Sequence, residues 1–260
     1  MKKYLKEFYF FTLKNAQASI FGAFLLSVII LTNYVDIPHI AKYDFIFISA
    51  ILFQIFLLGT KAESFKEVKV ILIFHIVATI MEIFKTSDQI ASWAYPELDK
   101  TVFTLFTVPL FTGFLYSAVG SYISRIIRIF DIQFINYPKR IYVILISFAI
   151  YINFFTHHFF FDFRYIILTI IFILFYKTTL KFKVYKKIRK MNFLLAGFLT
   201  AFFIWIAENI GSYTKIWLYP HQIENWQMVS LNKITSWFLL LIISFMLVSL
   251  VYKNRFGKNK

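Results

Sequence analysis

Eight separate stretches of this chain are apolar and long enough to be read as membrane crossings, and no other feature restricts the fold so severely. They are Ala16–Tyr34, Asp44–Thr60, Val68–Lys85, Thr101–Ile123, Ile141–Thr156, Arg164–Tyr176, Phe193–Ile210 and Thr235–Tyr252. A bilayer core takes about 20 apolar residues of helix, and fewer where it thins or where flanking side chains snorkel. The fifth and sixth stretches are the short ones. Backbone polar groups have no water to bond in lipid, so such runs are expected to be helical. The composition points the same way: 60% of residues are hydrophobic, 22% aromatic and only 16% charged. A soluble fold of 260 residues has no means of hiding that much apolar surface. The same figures exclude intrinsic disorder.

Charge supplies an orientation. With eight crossings, one side holds both termini and the 2–3, 4–5 and 6–7 loops, and it carries 22 of the 28 Lys and Arg. The opposite loops carry the other six. The positive-inside rule then places both termini in the cytoplasm. The expected fold class is therefore all-α: a polytopic protein of the bacterial inner membrane, one integral domain over residues 1–260. The net charge of +15 is read as basic loops and not as a nucleic-acid surface. The first run follows Lys2, Lys3, Lys6 and Lys14 but is too long for a signal-peptide core and lacks a cleavage site, so it reads as an uncleaved helix. Residues 4–13, rich in Tyr, Phe and Leu, are expected at the interface. The 6–7 loop, Lys177–Lys190, holds seven basic residues, read first as a topological signal and second as an anionic-lipid contact.

Several chemistries drop out. The chain has no cysteine, so disulfides, thiolate ligands and a cysteine nucleophile are excluded. Seven glycines and five prolines are few for a filter or for several broken helices. No P-loop, GxGxxG, GxSxG or HExxH is present, and no cofactor is assigned. Adjacent His157 and His158 would point about 100° apart on a helix, so no metal set is assigned either.

One pattern occurs twice. Glu82 is followed by Trp93-Ala94-Tyr95-Pro96, and Glu208 by Trp217-Leu218-Tyr219-Pro220. The Glu-to-Trp spacings are 11 and 9, and the two prolines stand 124 residues apart. The pattern suggests a parallel duplication of a four-helix half, residues 1–130 and 131–260. Carboxylates inside a membrane helix are costly and usually face a cavity or a partner. Glu82 and Glu208 are the candidates for acid/base chemistry. His157, His158 and Asn153 join them as candidates for orienting water or substrate. His75, Thr79, Trp93, Tyr95, Pro109, Asn209, Trp217 and Tyr219 are the candidate lining residues. His75, Thr79 and Glu82 stand at i, i+4 and i+7 and share a helix face. Pro109 is expected to kink the fourth crossing. The plainer reading of Trp-x-Tyr-Pro is an aromatic belt closed by a proline turn.

The segments VILIFHIVATIMEIFKT (70–86), WAYPE (93–97), VPLFTGFLYSAVGSYISR (108–125), YINFFTHH (151–158) and AENIGSYTKIWLYPHQ (207–222) resemble the bacterial integral membrane family called domain of unknown function 817. So does residues 226–245, WQMVSLNKITSWFLLLIISF. The likeness covers nearly the whole chain. It implies a multi-span membrane protein and no particular activity. A shorter pattern, Glu208 to Thr214 followed by Trp217-Leu218-Tyr219, with Glu82 to Tyr95 and Val108-Pro109-Leu110, is similar to membrane carotenoid hydratases and small lycopene cyclases. That similarity implies protonation of an isoprenoid double bond, although the adjacent Glu pair of the cyclases is missing. Three readings stay open: an acid/base enzyme on a lipid or isoprenoid near the outer leaflet, a small-solute or proton-coupled transporter, and a non-catalytic assembly partner.

Overall fold

The structure is a computed structural model that describes residues 2–35 and 37–256. It is mostly helical. The helices are α1 (Lys2–Ala18), α2 (Ile20–Leu31), α3 (Lys42–Gly59), α4 (Phe65–Thr86), α5 (Thr112–Ile129), α6 (Arg140–Thr156), α7 (Arg164–Phe175), α8 (Phe193–Tyr213) and α9 (Lys233–Val251). Each of the eight apolar runs overlaps a helix. Among the described residues, three helices are long and apolar enough to cross a membrane: α3, α8 and α9. The bent pair α1 and α2 makes a fourth if it counts as one span. The helices α6 and α7 are apolar but shorter, as their runs implied. Helix α4 has 22 residues, among them Lys66, Glu67, Lys69, Glu82 and Lys85.

The expectation of an all-α chain needs correction in the connections, where the described residues form five short strands. The first pair, β1 (Thr104–Leu105) and β2 (Val108–Pro109), forms an antiparallel hairpin with Thr104 opposite Pro109. The fourth apolar run is therefore not one helix: its helical part begins at Thr112. Pro109 lies in a strand before α5 and kinks no helix, because a residue without an N–H is tolerated in a two-residue ladder but not in a helix interior. Asp44 holds this segment from α3: its carboxylate accepts from the backbone N–H groups of Val102 (3.0 Å) and Phe103 (2.9 Å). The remaining strands, β3 (Gln133–Ile135), β4 (Thr179–Lys183) and β5 (Ile188–Asn192), form one antiparallel sheet in that order. The basic 6–7 loop is thus mostly a hairpin.

The chain divides into two compact units, and neither coincides with residues 1–130 or 131–260. The first comprises residues 1–20, 120–202 and 234–260. Its centre is aromatic: Phe134 stacks on Phe256 at 4.1 Å and Phe175 on Phe193 at 4.8 Å, with Phe245 edge-on to Phe193. The second comprises residues 21–119 and 203–233. Here Ile29, Tyr43, Ile46, Phe111 and Ile216 form one buried cluster, and Phe21, Leu25, Ala50 and Leu57 another. Ser64 and Glu67 close a reciprocal capping box at the start of α4, which satisfies two of its otherwise orphaned N–H groups.

Candidate functional site

The second unit brings both copies of the Glu and Trp-x-Tyr-Pro pattern into one network. Glu82 projects from the last turn and a half of α4 and is 2% exposed. Glu208 projects from α8 and is 4% exposed. The segments after each helix run antiparallel. Ala94 and Leu218 exchange both backbone hydrogen bonds, each 2.9 Å, in an isolated bridge. Side chains alternate across an extended backbone, so Trp93 and Tyr95 share one face of the bridge, as do Trp217 and Tyr219. Antiparallel pairing about the 94–218 pair sets Trp93 against Tyr219, and their rings meet edge-on at 6.1 Å.

Each tyrosine serves the carboxylate of its own motif. The Tyr95 hydroxyl donates to Glu82 Oε2 at 2.6 Å, and the Tyr219 hydroxyl donates to Glu208. Trp93 adds its indole N–H to Glu82 Oε2 at 3.0 Å. Tyr116, from α5, donates to Glu82 Oε1 at 2.6 Å. Glu82 therefore accepts three bonds on two oxygens, which uses much of the acceptor capacity of its carboxyl. Burial pushes the Tyr95 and Tyr219 phenols well above their ordinary pKa, and the neighbouring carboxylates push in the same direction. Both phenols are donors at any physiological pH.

A cation completes the cluster. Lys233, at the start of α9's sequence, places Nζ 4.4 Å from the Tyr219 ring centroid and 5.2 Å from that of Trp93. It also lies close enough to Glu82 to act on it electrostatically. The ring faces are electron-rich, so they hold an ammonium at a position that would suit other positive charge.

Close packing fixes these groups. A Cβ on Gly211 would overlap the Trp217 ring, and one on Gly113 would overlap the His75 ring. The Tyr43 hydroxyl donates to the carbonyl of Ile216 (2.8 Å) and accepts from the N–H of Glu97 (3.4 Å), which anchors the residues beside both motifs. Asn209 braces the loop before Lys233: its side chain accepts from the Val229 N–H at 2.9 Å, while Trp205 donates to the Val229 carbonyl at 3.0 Å. The Thr79 hydroxyl returns to the carbonyl of His75 at 2.7 Å, so it serves its own helix. The His75 ring packs on Phe114. Pro109 is buried in β2, which packs on α4, and next to it Thr107 shares a 2.7 Å hydroxyl bond with Thr86.

Asn153, His157 and His158 belong to the first unit. Asn153 donates to Asp162 (2.9 Å) and accepts from the N–H of Phe163 (3.0 Å), and Asp162 in turn accepts from the N–H of Arg164 (2.9 Å). His157 Nδ1 lies 2.8 Å from the Asn153 carbonyl. These bonds close the α6–α7 turn. Burial alone would raise the pKa of Asp162, but the Asn153 amide, the Arg164 N–H and the Arg164 charge outweigh it and hold the carboxyl below its ordinary value. Among the described residues, no group of three His, Cys, Asp or Glu is placed to hold a metal ion.

Reading the sequence alone missed Tyr43, Tyr116 and Lys233. The available signal was weak: a Lys two residues before an apolar run, a Tyr one residue before another, and a Tyr inside a third. Neither type is unusual in a membrane protein.

Comparison with known proteins agrees with the whole-chain pattern. The family model described as "Protein of unknown function (DUF817)" matches residues 7–245. The chain is 35% identical over 245 residues to "Uncharacterized protein YoaT" of Bacillus subtilis (strain 168), covering 94% of this chain and 91% of that protein. No solved structure matches it.

Proposed function

This chain belongs to the DUF817 family, described as proteins of unknown function, and from that premise we propose that it is an acid/base enzyme of the bacterial inner membrane. Its substrate is a lipid or isoprenoid near the outer leaflet. All eight apolar runs cross the bilayer, with both termini cytoplasmic, and the two halves descend from one duplicated unit. The reciprocal exchange between Ala94 and Leu218 supports the duplication, since equal motifs meet there about their midpoints.

The observation that carries the reading is the pairing of two buried carboxylates with phenols beneath ring faces that already hold a cation. The Glu208–Tyr219 pair holds the transferable proton. It delivers that proton to one carbon of a double bond, forming a C–H bond as the π bond breaks. Positive charge falls on the other carbon, over Trp93 and Tyr219, where the Lys233 ammonium lies. Lys233 withdraws on its flexible stem to admit it. Glu82, with three donors and a nearby cation, is the proton acceptor in this reading. It takes a proton from the adjacent carbon, or from a water that adds to the cation, and so ends the reaction.

The test compares total membrane lipids by mass spectrometry in a deletion strain, its wild-type rescue, and a rescue carrying Glu82→Gln and Glu208→Gln at matched protein level. A species present only with wild type is the expected result. Identical profiles in all three strains would remove the enzyme reading.

A second reading draws on Lys233. A cation held beside a buried carboxylate is an arrangement that a proton-coupled transporter of small solutes exploits by releasing one partner as the other loads. Uptake into proteoliposomes driven by a pH gradient, and abolished by Glu82→Gln, would favour it.

A further inference from the structure

Trp93 and Tyr219 make a corner for a cation. Their rings meet edge-on at 6.1 Å. The Lys233 ammonium lies 4.4 Å from the Tyr219 centroid and 5.2 Å from that of Trp93. Both distances fall inside the range of about 6 Å over which a ring face attracts positive charge. Lys233 and Trp93 are half-buried, so the corner reaches the surface of the second unit. The donors around it are committed elsewhere. The Trp93 N–H and the Tyr95 and Tyr116 hydroxyls go to Glu82, and the Tyr219 hydroxyl goes to Glu208. The two rings are therefore left to bind through their faces. Lys233 reaches them on a four-carbon stem, and holding a side chain so rich in rotamers in one place has an entropic cost.

Ring faces do not select a divalent metal ion, which demands several oxygen ligands. Among the described residues no three carboxylates or histidines converge to supply them. A ring corner selects an organic cation instead, because its carbon groups pack on the rings while its charge meets their electron-rich faces. We propose that the Trp93–Tyr219 corner is a binding site for an organic ammonium group, free or carried on a lipid headgroup, and that Lys233 is its built-in competitor. The Lys233 ammonium fills the corner when no ligand is present and swings aside when one arrives. Affinity is then set by the difference between two cations for the same pair of rings. The site shares one point with the enzyme reading, the withdrawal of Lys233, and its occupancy needs no turnover.

The experiment titrates full-length protein in a neutral detergent with choline and with dimethylbutanol, the uncharged alcohol in which carbon replaces the choline nitrogen. The rise in melting temperature with concentration reads the affinity. Wild type should respond to choline and not to the alcohol. Lys233→Met removes the competitor and should tighten choline binding about tenfold, the gain expected if Lys233 fills the corner about nine-tenths of the time. In that background Trp93→Phe and Trp93→Leu both lose the N–H bond to Glu82, but only phenylalanine keeps a ring face. Phenylalanine should retain much of the choline response and leucine should lose it. Equal responses to choline and the alcohol would overturn the proposal, and so would choline binding that is unchanged or weaker in Lys233→Met. Equal choline binding by the phenylalanine and leucine variants would overturn it too. The Lys233→Met comparison keeps both rings, so it decides the matter even if Trp93→Leu does not fold. Repeating the titration in phosphatidylglycerol nanodiscs with and without phosphatidylethanolamine separates the two sources. Competition by phosphatidylethanolamine assigns the corner to a lipid headgroup, and unchanged choline binding assigns it to a free organic cation. Choline binding without any lipid difference between the strains would remove the enzyme reading alone, and a lipid difference without choline binding would remove this one alone.

Discussion

Tyr95 and Tyr219 occupy matching places on the two sides of a single backbone bridge, and each gives its phenolic hydrogen bond to the glutamate that precedes it in its own motif. The relationship ties a repeated pattern to a shared piece of chemistry. It also explains why Trp and Tyr recur with one residue between them. The middle residue pairs the backbones, while Trp93 and Tyr95 reach Glu82 and Tyr219 reaches Glu208.

Replacing either tyrosine by phenylalanine removes a donor and leaves a buried carboxylate short of a bond. Each change should lower stability by about 1.5–3 kcal/mol, the range for hydrogen bonds to charged groups. Thermal unfolding in detergent reads the effect. Combining Tyr95→Phe with Glu82→Gln should cost less than the two single changes added together, because the residues share one interaction. Strict additivity would show that the pair is not coupled.

Gly211→Ala sets a methyl group into the Trp217 ring. Overpacking of this kind costs about 1–3 kcal/mol. Truncating the ring as well, in Gly211→Ala/Trp217→Ala, should recover the part of that loss due to the clash. Melting curves for the two single variants and the pair decide the point.

Lys233→Met keeps the aliphatic stem and deletes the charge over Trp93 and Tyr219. It should destabilise the protein by about 1 kcal/mol, the scale of a partly shielded cation–π contact. Lys233→Arg should restore much of it. If methionine stabilises instead, the ammonium contributes nothing there.

Asp162 makes a prediction in pH. Its folded-state pKa lies below the ordinary carboxylate value, so the folded state binds its proton less readily than the unfolded state. The stabilisation is present above the unfolded pKa of about 3.9 and is lost as pH falls through the lower folded value. The gap in melting temperature between wild type and Asp162→Asn should therefore be open at pH 7 and narrow progressively below pH 4. A gap that is constant with pH would show that the α6–α7 turn does not depend on the charge.

How much of this was legible in the sequence depended on whether the partners were neighbours in the chain. Glu82 with Trp93 and Tyr95, and Glu208 with Tyr219, stood out because the signal repeats and each partner lies one helix end away. Tyr116 and Lys233 come from other elements, and neither type is rare in an apolar chain, so no spacing rule reached them. Pro109 was misread because an apolar run shows no period that separates a helix from a short hairpin. Asn153, His157 and His158 looked like partners of the glutamates by their place along the chain, yet their described bonds close a turn in the other unit. The eight apolar runs were plain, but run length reports hydrophobicity, and among the described residues three helices, or four with the bent pair, have the length and composition to cross a bilayer.

The central claim is that the two Glu and Trp-x-Tyr-Pro motifs meet to form one site, and the absence of cysteine makes it directly testable. Residues that exchange both ladder bonds have Cα atoms about 5.5 Å apart, within the reach of a disulfide. Ala94→Cys/Leu218→Cys in native membranes under mild oxidant should form an intramolecular cross-link rapidly, read as loss of thiol labelling without dimer formation. Thr101→Cys/Leu218→Cys, which lacks the ladder pairing, is the comparison and should remain labelled. Failure of the 94–218 pair to close, or closure only between molecules, would contradict the shared site.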